Sequence, residues 1–560
     1  MPPFAANSSS ASLLRSIFRR FRRPGSIETN FDASQSLAAN AQTLAPGAAR
    51  DSTVRWVWLL LLAHLVIWTV TPTLANRNLS LDSVEMWVWG NQCTWGYYKH
   101  PPLPAWCARG LATLLGRSDI TLYFGCQCAV VLTMWSVWRL ARRWLTPWSA
   151  MMAVFLLETC YFLNWRSVRF NNNTLNLPWW GLTALAFHTA LTRGRRRDWI
   201  ATGVTLALGM YTKYDIAFLA LSIVGVLLLL PSARPKLRTP GPYLMVATAL
   251  ALFAPHMVWM VSEHFPTIQY ALDRSQHAGG FSDHVVNPFG FLASQAVAFL
   301  PMLLIMWPVL GRKWKWRNLP DGERFSRDFV LGMAVGPIAL YLLLSLATGA
   351  RLDGGWGSPL WIFWPLLLLT CFEITANTAA LRRAFYSTAI IALALPLVFG
   401  VQRLVAPYIL HRADHVAFPG RALAAEVEKA WRAECSTPMP WIGGDWWIAG
   451  NAAFYAQQSP RVYGDLDPRV TPGASDEQFR AAGGMLVWFQ TPDHPEPPAE
   501  WQRRFPAMRI LPPVEIPYQT AAHLPLAHFG LAVVPAQGSL FAANKDNRTA
   551  QQRPNGAATR

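Results

Sequence analysis

The chain has 560 residues, of which 52% are hydrophobic and only 14% charged, against about 25% charged in an ordinary soluble protein. That balance excludes a soluble enzyme of this length. The net charge of +18 invites a nucleic-acid reading, but the basic residues sit in short clusters between apolar runs, as the positive-inside rule for membrane proteins requires. Nucleic acid is therefore not an expected partner. The 28 tryptophans suit headgroup level, where an apolar ring keeps a polar N–H wet. None of the seven cysteines (Cys93, Cys107, Cys126, Cys128, Cys160, Cys371, Cys435) forms a CxxC pair, which argues against a zinc or redox site.

Residues 1–50 carry the cluster Arg19-Arg20-Phe21-Arg22-Arg23 with no apolar stretch after it. They read as a disordered, basic cytoplasmic arm rather than a cleaved signal peptide. Apolar runs follow near 56–75, 120–138, 147–165, 174–192, 199–213, 214–231, 241–261, 288–310, 328–348, 357–376 and 384–404. A crossing needs roughly 20 residues, so these predict about eleven transmembrane helices within a domain at 51–406. Alternate loops are basic: Arg139–Arg143, Arg193–Arg197, Arg234–Arg238, Arg312–Arg327 and Arg382-Arg383. This places them, with the N-terminus, inside a bacterial inner membrane, and the C-terminal segment outside.

From residue 407 the character changes. Short apolar runs such as Met485–Phe489 and Phe529–Val534 alternate with helical stretches, which predicts a small periplasmic α/β domain over 407–545. The polar end, 546–560, is expected to be disordered.

The outside loop 76–119 holds most of the unusual polar chemistry. Asp82 and Glu85 are three apart and would share one face of a helix. That spacing also suits a solvated helix start with Asp82 as N-cap. The stretch Trp95-Gly-Tyr-Tyr-Lys-His-Pro-Pro-Leu103 follows. Cys93 and Cys107 share this loop, so a disulfide is allowed there.

Together Asp82, Trp89-Gly90 and Trp95–Leu103 resemble the first periplasmic loop of the family 39 glycosyltransferases, relatives of the protein O-mannosyltransferases and the lipid A aminoarabinose transferases. His264–Arg274, Gln295, Pro301, Trp356–Pro359 and Tyr211-Thr-Lys-Tyr214 fall in the family order. The resemblance covers residues 55–375. It implies an α-helical GT-C fold and inverting transfer of a sugar from a polyprenyl-phosphate donor to a lipid, glycan or protein acceptor. It makes Asp82 the catalytic base, with Glu85 beside it.

Such chemistry needs cations near the leaving phosphate; Lys99, Arg166, Arg169, Lys213, Arg274 and Arg351 are the candidates. Tyr97, Tyr98, His100, Asn172, Asn173 and Trp356 are the candidate substrate contacts. The pattern also departs from the family. Its second acid falls on Ser83, the acid before His-Pro-Pro is Lys99, and Asn171-Asn172-Asn173 stand where many relatives carry an aspartate. Fewer carboxylates make a divalent metal unexpected, no cofactor is expected, and the site has room for an acidic sugar. His277, Asp283 and His284 read as solvated rather than metal-binding. A flippase for a lipid-linked substrate is the competing function, although charges gathered in outside loops rather than mid-span favour an enzyme. An inactive scaffold is the third reading.

Overall fold

The computed structural model describes residues 46–275, 280–311, 314–319, 321–374, 377–520 and 522–537. Most of the expected basic arm, His277 and the expected tail lie outside the described residues.

An apolar backbone in lipid must satisfy its own hydrogen bonds, and helices do so within one segment. Among the described residues, six helices are long and apolar enough to cross a membrane. They lie within α1 (Pro46–Ala75), α4 (Asp119–Ala141), α9 (Gly241–Ser262), α11 (Asp283–Leu310), α12 (Asp321–Thr348) and α14 (Thr378–Leu410). The first of these begins at Pro46, so residues 46–50, assigned above to the arm, are helical.

The other five expected spans appear as shorter or more polar helices: α5 (Pro147–Leu157), α6 (Asn172–Arg193), α7 (Arg196–Thr212), α8 (Ile216–Leu229) and α13 (Trp364–Cys371). Two corrections have clear causes. The run at 147–165 stops being helical at Leu157. There Glu158 turns inward to His64, 3.0 Å away, and Asn164 turns back on the carbonyl of Glu158. The run at 357–376 is split, because Gly354, Gly355, Gly357 and Pro359 form a 3₁₀ turn (Gly354–Trp361) before α13 begins. Between α7 and α8 the chain leaves the helix at Lys213, which is extended.

The loop after α1 carries α2 (Leu81–Gly90) and α3 (Leu103–Leu115). These pack so closely that a Cβ on Gly90 would lie 2.3 Å from the carbonyl oxygen of Ala105; only glycine allows that approach. Cys93 and Cys107 both remain free thiols, so the structure does not contain the disulfide the loop allowed.

After α14, the helix α15 (Gly420–Glu434) leads into a five-stranded mixed sheet in the order β2-β1-β3-β5-β4. Its strands are β1 (Trp441–Gly444), β2 (Arg461–Gly464), β3 (Gly484–Phe489), β4 (Arg509–Ile516) and β5 (Ala527–Val534). β1 pairs in parallel with β2 and β3, while β5 pairs antiparallel with β3 and β4. The helix α16 (Trp446–Tyr455) follows β1 and packs on α2.

One core cluster runs through both, joining Val84, Trp87 and Val88 to Ile448, Phe454 and Val487. Polar contacts fix the register: Tyr455 Oη accepts from the backbone N–H of Leu79 at 3.0 Å, and the Trp89 indole donates to the carbonyl of Val470 at 3.0 Å. Trp87 is 3% exposed and meets the ring of Phe454 edge-on at 5.2 Å. Removing a buried tryptophan costs about 3–5 kcal/mol. Trp87→Ala should therefore lower the melting temperature of the purified protein and expose the region after residue 420 to protease. Unchanged melting and proteolysis would mean the sheet does not depend on α2.

Candidate active site

A cavity of about 480 Å³ lies where α2, the segment before α6, the Lys213 turn and the 3₁₀ turn at 354–361 converge. It is lined by both acids, Asp82 and Glu85, and by five of the six candidate cations: Lys99, Arg166, Arg169, Lys213 and Arg274.

Asp82 occupies the first turn of α2, three residues before Glu85, and both line the cavity as their spacing predicted. Ser80, not Asp82, is the N-cap, and no side chain caps this helix end; the N-cap reading of Asp82 is corrected. Its Oδ2 accepts 2.8 Å from the amide of Asn171. That amide's oxygen in turn accepts from the backbone N–H of Thr174 at 3.0 Å and caps α6. The base candidate is thus aimed by a neutral group fixed to a helix start. Ser83 is buried, and its hydroxyl accepts from the backbone N–H of Phe170 at 3.0 Å.

Glu85 is taken by Lys99, with Nζ 2.6 Å from Oε1. The ammonium also faces the rings of Tyr98 at 5.1 Å, Trp446 at 5.4 Å and Trp89 at 5.9 Å, a favourable arrangement for a cation. Burial pushes the Glu85 carboxyl up to about 7, against the pull of Lys99. Burial works against the charge on Lys99, but Glu85 outweighs it and holds the ammonium above the usual lysine range. His100 goes the other way. Burial first, then Lys213, Lys99 and Arg274, hold it down to about 3, so its imidazole is neutral at any working pH.

Lys213 is gripped by Asp215 at 2.7 Å and lies over the ring of Trp356 at 5.7 Å. Asn172 donates to the carbonyl of Thr212 at 2.7 Å and so steadies that turn. Asn173 also lines the cavity, and its buried Oδ1 has no partner among the described residues. Arg166 reaches the backbone at Gly355, where a Cβ would lie 3.1 Å from its Nη2. Burial, then the charge of Arg166, lower the pKa of Arg169; two guanidiniums facing one space favour an anion between them.

Three candidates are displaced. Tyr97 is fully buried, stacked on Trp89 at 4.8 Å, and donates to the Trp89 carbonyl; it supports the loop and cannot touch a substrate. Tyr98 stands behind Lys99, edge-on to Tyr270, rather than in the lining. Arg351 lines an adjoining cavity of about 710 Å³, which shares Arg274, Asp353 and Trp356 with the first. Asp283 lines that second cavity too, while His284 Nδ1 lies 2.7 Å from the Leu346 carbonyl.

The candidate set lacked Asn171 as the partner of Asp82, and it lacked Tyr270 and Asp353. An Asn three residues before a Thr at a helix start is a capping signal, and Asp353 ahead of two glycines is another; Asp353 accepts from the N–H of Gly355 at 2.8 Å. No group of three or more metal-ligating side chains occurs among the described residues.

Known proteins resemble this chain in sequence and in fold. Residues 99–259 match the family model described as dolichyl-phosphate-mannose-protein mannosyltransferase. The lipid A galacturonosyltransferase RgtD of Rhizobium johnstonii is 22% identical over 53% of this chain and 62% of its own length. The lipopolysaccharide core galacturonosyltransferase RgtB of the same organism is 21% identical over 80% of this chain and 90% of its own length. An undecaprenyl phosphate-α-4-amino-4-deoxy-L-arabinose arabinosyl transferase of Sodalis glossinidius is 25% identical over 56% of this chain and 59% of its own length. The match thus spans less than two thirds of the first and third of these relatives. The crystal structure of ArnT from Cupriavidus metallidurans bound to undecaprenyl phosphate superposes with a TM-score of 0.57 at 15% identity, covering 86% of this chain and 98% of that one.

The chain shares the fold of that glycosyltransferase structure and is similar in sequence to membrane glycosyltransferases. Within its own site, one acid of the loop helix α2 is already paired.

A pH effect follows from that pair. Between pH 6 and pH 8 Glu85 ionises, adding a negative charge to the cavity. Affinity for inorganic phosphate, used as a simple anionic probe of the cavity, should fall across that range by about three- to tenfold more in wild type than in Glu85→Gln, equivalent to about 0.7–1.4 kcal/mol. The probe's own ionisation is common to both proteins. Equal pH dependence in the two would contradict the assignment.

Proposed function

We propose that this protein is an inverting glycosyltransferase that takes a sugar from a polyprenyl-phosphate donor at the outer face of a bacterial inner membrane. The observation that carries the proposal is the cavity itself. It sets a carboxylate held by an amide, Asp82, among Lys99, Arg166, Arg169, Lys213 and Arg274.

In the proposed reaction an acceptor hydroxyl gives its proton to Asp82 while its oxygen bonds to the anomeric carbon. The bond from that carbon to the donor phosphate breaks on the opposite side, through oxocarbenium character. Polyprenyl phosphate leaves, and its growing charge falls on the guanidiniums and ammonium groups. Neutral His100 and the free Oδ1 of Asn173 are suited to sugar hydroxyls, which both donate and accept.

The sugar we propose is a uronic acid. Two of the relatives described above are named as galacturonosyltransferases, and the lining carries more cations than acids, with Asn171, Asn172 and Asn173 neutral. A sugar carboxylate can pair with one guanidinium while the phosphate takes the others. A divalent cation does not fit the donor set, since Glu85 is committed to an ammonium 2.6 Å away.

Positioned general bases contribute about 10²–10⁴-fold. Asp82→Asn should therefore reduce transfer from undecaprenyl-phosphate-galacturonate by at least about a hundredfold, with the protein still inserted and EDTA harmless to wild type. Residual activity above about a tenth would move the proton elsewhere. Restoration of EDTA-treated enzyme by Mg²⁺ or Mn²⁺ would overturn the metal-free mechanism. In the same reading, reporter fusions after Arg197 and Arg383 are cytoplasmic and one after Gly420 is periplasmic; a cytoplasmic signal at Gly420 would reverse the outer-face assignment.

A further inference from the structure

The five cations of the candidate site are not equivalent, because three of them are already matched by an acid. Lys99 has Glu85 at 2.6 Å, Lys213 has Asp215 at 2.7 Å and Arg274 has Asp353 at 3.4 Å. Arg166 and Arg169 differ. Both line the cavity from the segment before α6, and both are half-buried. Among the described residues, neither guanidinium has an acid at ion-pair distance or a hydrogen-bond acceptor. The charge of Asp82 reaches Arg169, but its carboxylate is held by the amide of Asn171. A charge drawn out of water is costly until it is paired, and two like charges facing one space add to that cost.

The cavity also has a direction. Through Arg274, Asp353 and Trp356 it adjoins the space of about 710 Å³ that Arg351 lines. Val286 lines that space too and is 61% exposed, on α11, a helix of membrane-spanning length and composition. A long apolar chain stays in the bilayer, so the phosphate of a polyprenyl donor belongs at this end. Asp82 and Arg169 mark the other end, since both also line a separate space of about 120 Å³ that Arg274, Lys213 and Trp356 do not meet. In an inverting displacement the base and the leaving phosphate stand on opposite faces of the anomeric carbon. The sugar ring therefore lies between the two ends, beside the two arginines without an acid.

We propose that the carboxylate of the donor sugar seats between Arg166 and Arg169, with Arg169 its direct partner, and that this seat selects a uronic acid over a neutral hexose. The proposal rests on the transferase reading and deepens it. A guanidinium offers parallel N–H donors that match both oxygens of a carboxylate. The hydroxymethyl group of a neutral hexose occupies the same place without charge and leaves both guanidiniums unpaired. A site built around polar groups discriminates strongly against a ligand that leaves them unmatched. The three cations with acids of their own gain less from a further anion, which leaves the sugar carboxylate to Arg166 and Arg169.

The test compares undecaprenyl-phosphate-galacturonate with undecaprenyl-phosphate-galactose, which carries a hydroxymethyl group in place of the carboxylate. Each is titrated, without acceptor, into purified full-length protein in phosphatidylcholine nanodiscs. Wild type should bind the galacturonate donor about tenfold tighter or more, a difference of about 1.4 kcal/mol. Arg169→Gln should bring that ratio below about threefold. Arg166→Gln should lower it less, and Arg169→Lys, which keeps a charge without the fork, should fall between wild type and Arg169→Gln. Arg274→Gln, at the phosphate end and in an exposed pair, should weaken both donors in parallel and keep the ratio. Equal binding of the two donors by wild type overturns the proposal, as does binding of neither. So does an Arg169→Gln protein that weakens both donors in parallel, since the guanidinium then serves the phosphate. If Arg169→Gln does not fold, an unchanged ratio in both Arg169→Lys and Arg166→Gln has the same force. A transfer assay separates the seat from the reading beneath it. A wild-type preference in kcat/KM that survives in every Arg166 and Arg169 variant removes the seat and leaves the transferase. Arg169-dependent selection in binding, with no transfer from either donor to any acceptor, leaves the seat and removes the transferase.

Discussion

A carboxylate surrounded by cations is a poor base once one of them pairs with it, because the partner stabilises the charged form. The site depends on how two acids on one short helix are partnered. Glu85 is paired with Lys99 at 2.6 Å. Asp82 is held instead by the amide of Asn171, which is anchored as the cap of α6. A neutral hydrogen bond orients the carboxylate at the cavity wall. Asn171 is thus tied to the position of the acid it contacts.

The sheet contributes to the same constraint. Trp446, at the start of α16 and beside the end of β1, is one of three rings facing the Lys99 ammonium. Asp465, at the end of β2, accepts from the backbone N–H of Trp446 at 3.0 Å and fixes that helix start. The cation that occupies Glu85 is therefore held partly by residues more than 300 positions away in sequence. Trp87, Trp89 and Tyr97 form the packed support beneath it.

Much of this was legible in the sequence because it rests on local pattern. The six long apolar helices need only length and composition. The spacing of Asp82 and Glu85 placed both on one wall, and loop chemistry led to five of the cations. What could not be read depends on contacts distant in sequence. Nothing near Tyr97 announces that it stacks under Trp89, or that its hydroxyl is spent on a carbonyl. Continuous apolar runs at 147–165 and 357–376 hid a buried Glu158–His64 pair and a glycine-rich 3₁₀ turn. Asn171 was visible as a residue but not as the partner of Asp82, 89 positions earlier. Arg351 lines a neighbouring cavity, which shares Arg274, Asp353 and Trp356 with the first.

The central claim is a single displacement: Asp82 deprotonates the acceptor on one side while the phosphate departs into the cations on the other. The most direct measurement of that geometry is the anomeric configuration of the transferred sugar, read from one-bond carbon–proton couplings in product made from a donor of known configuration. Inversion is the predicted result. Retention would require a covalent intermediate or a same-face attack, and would contradict the account.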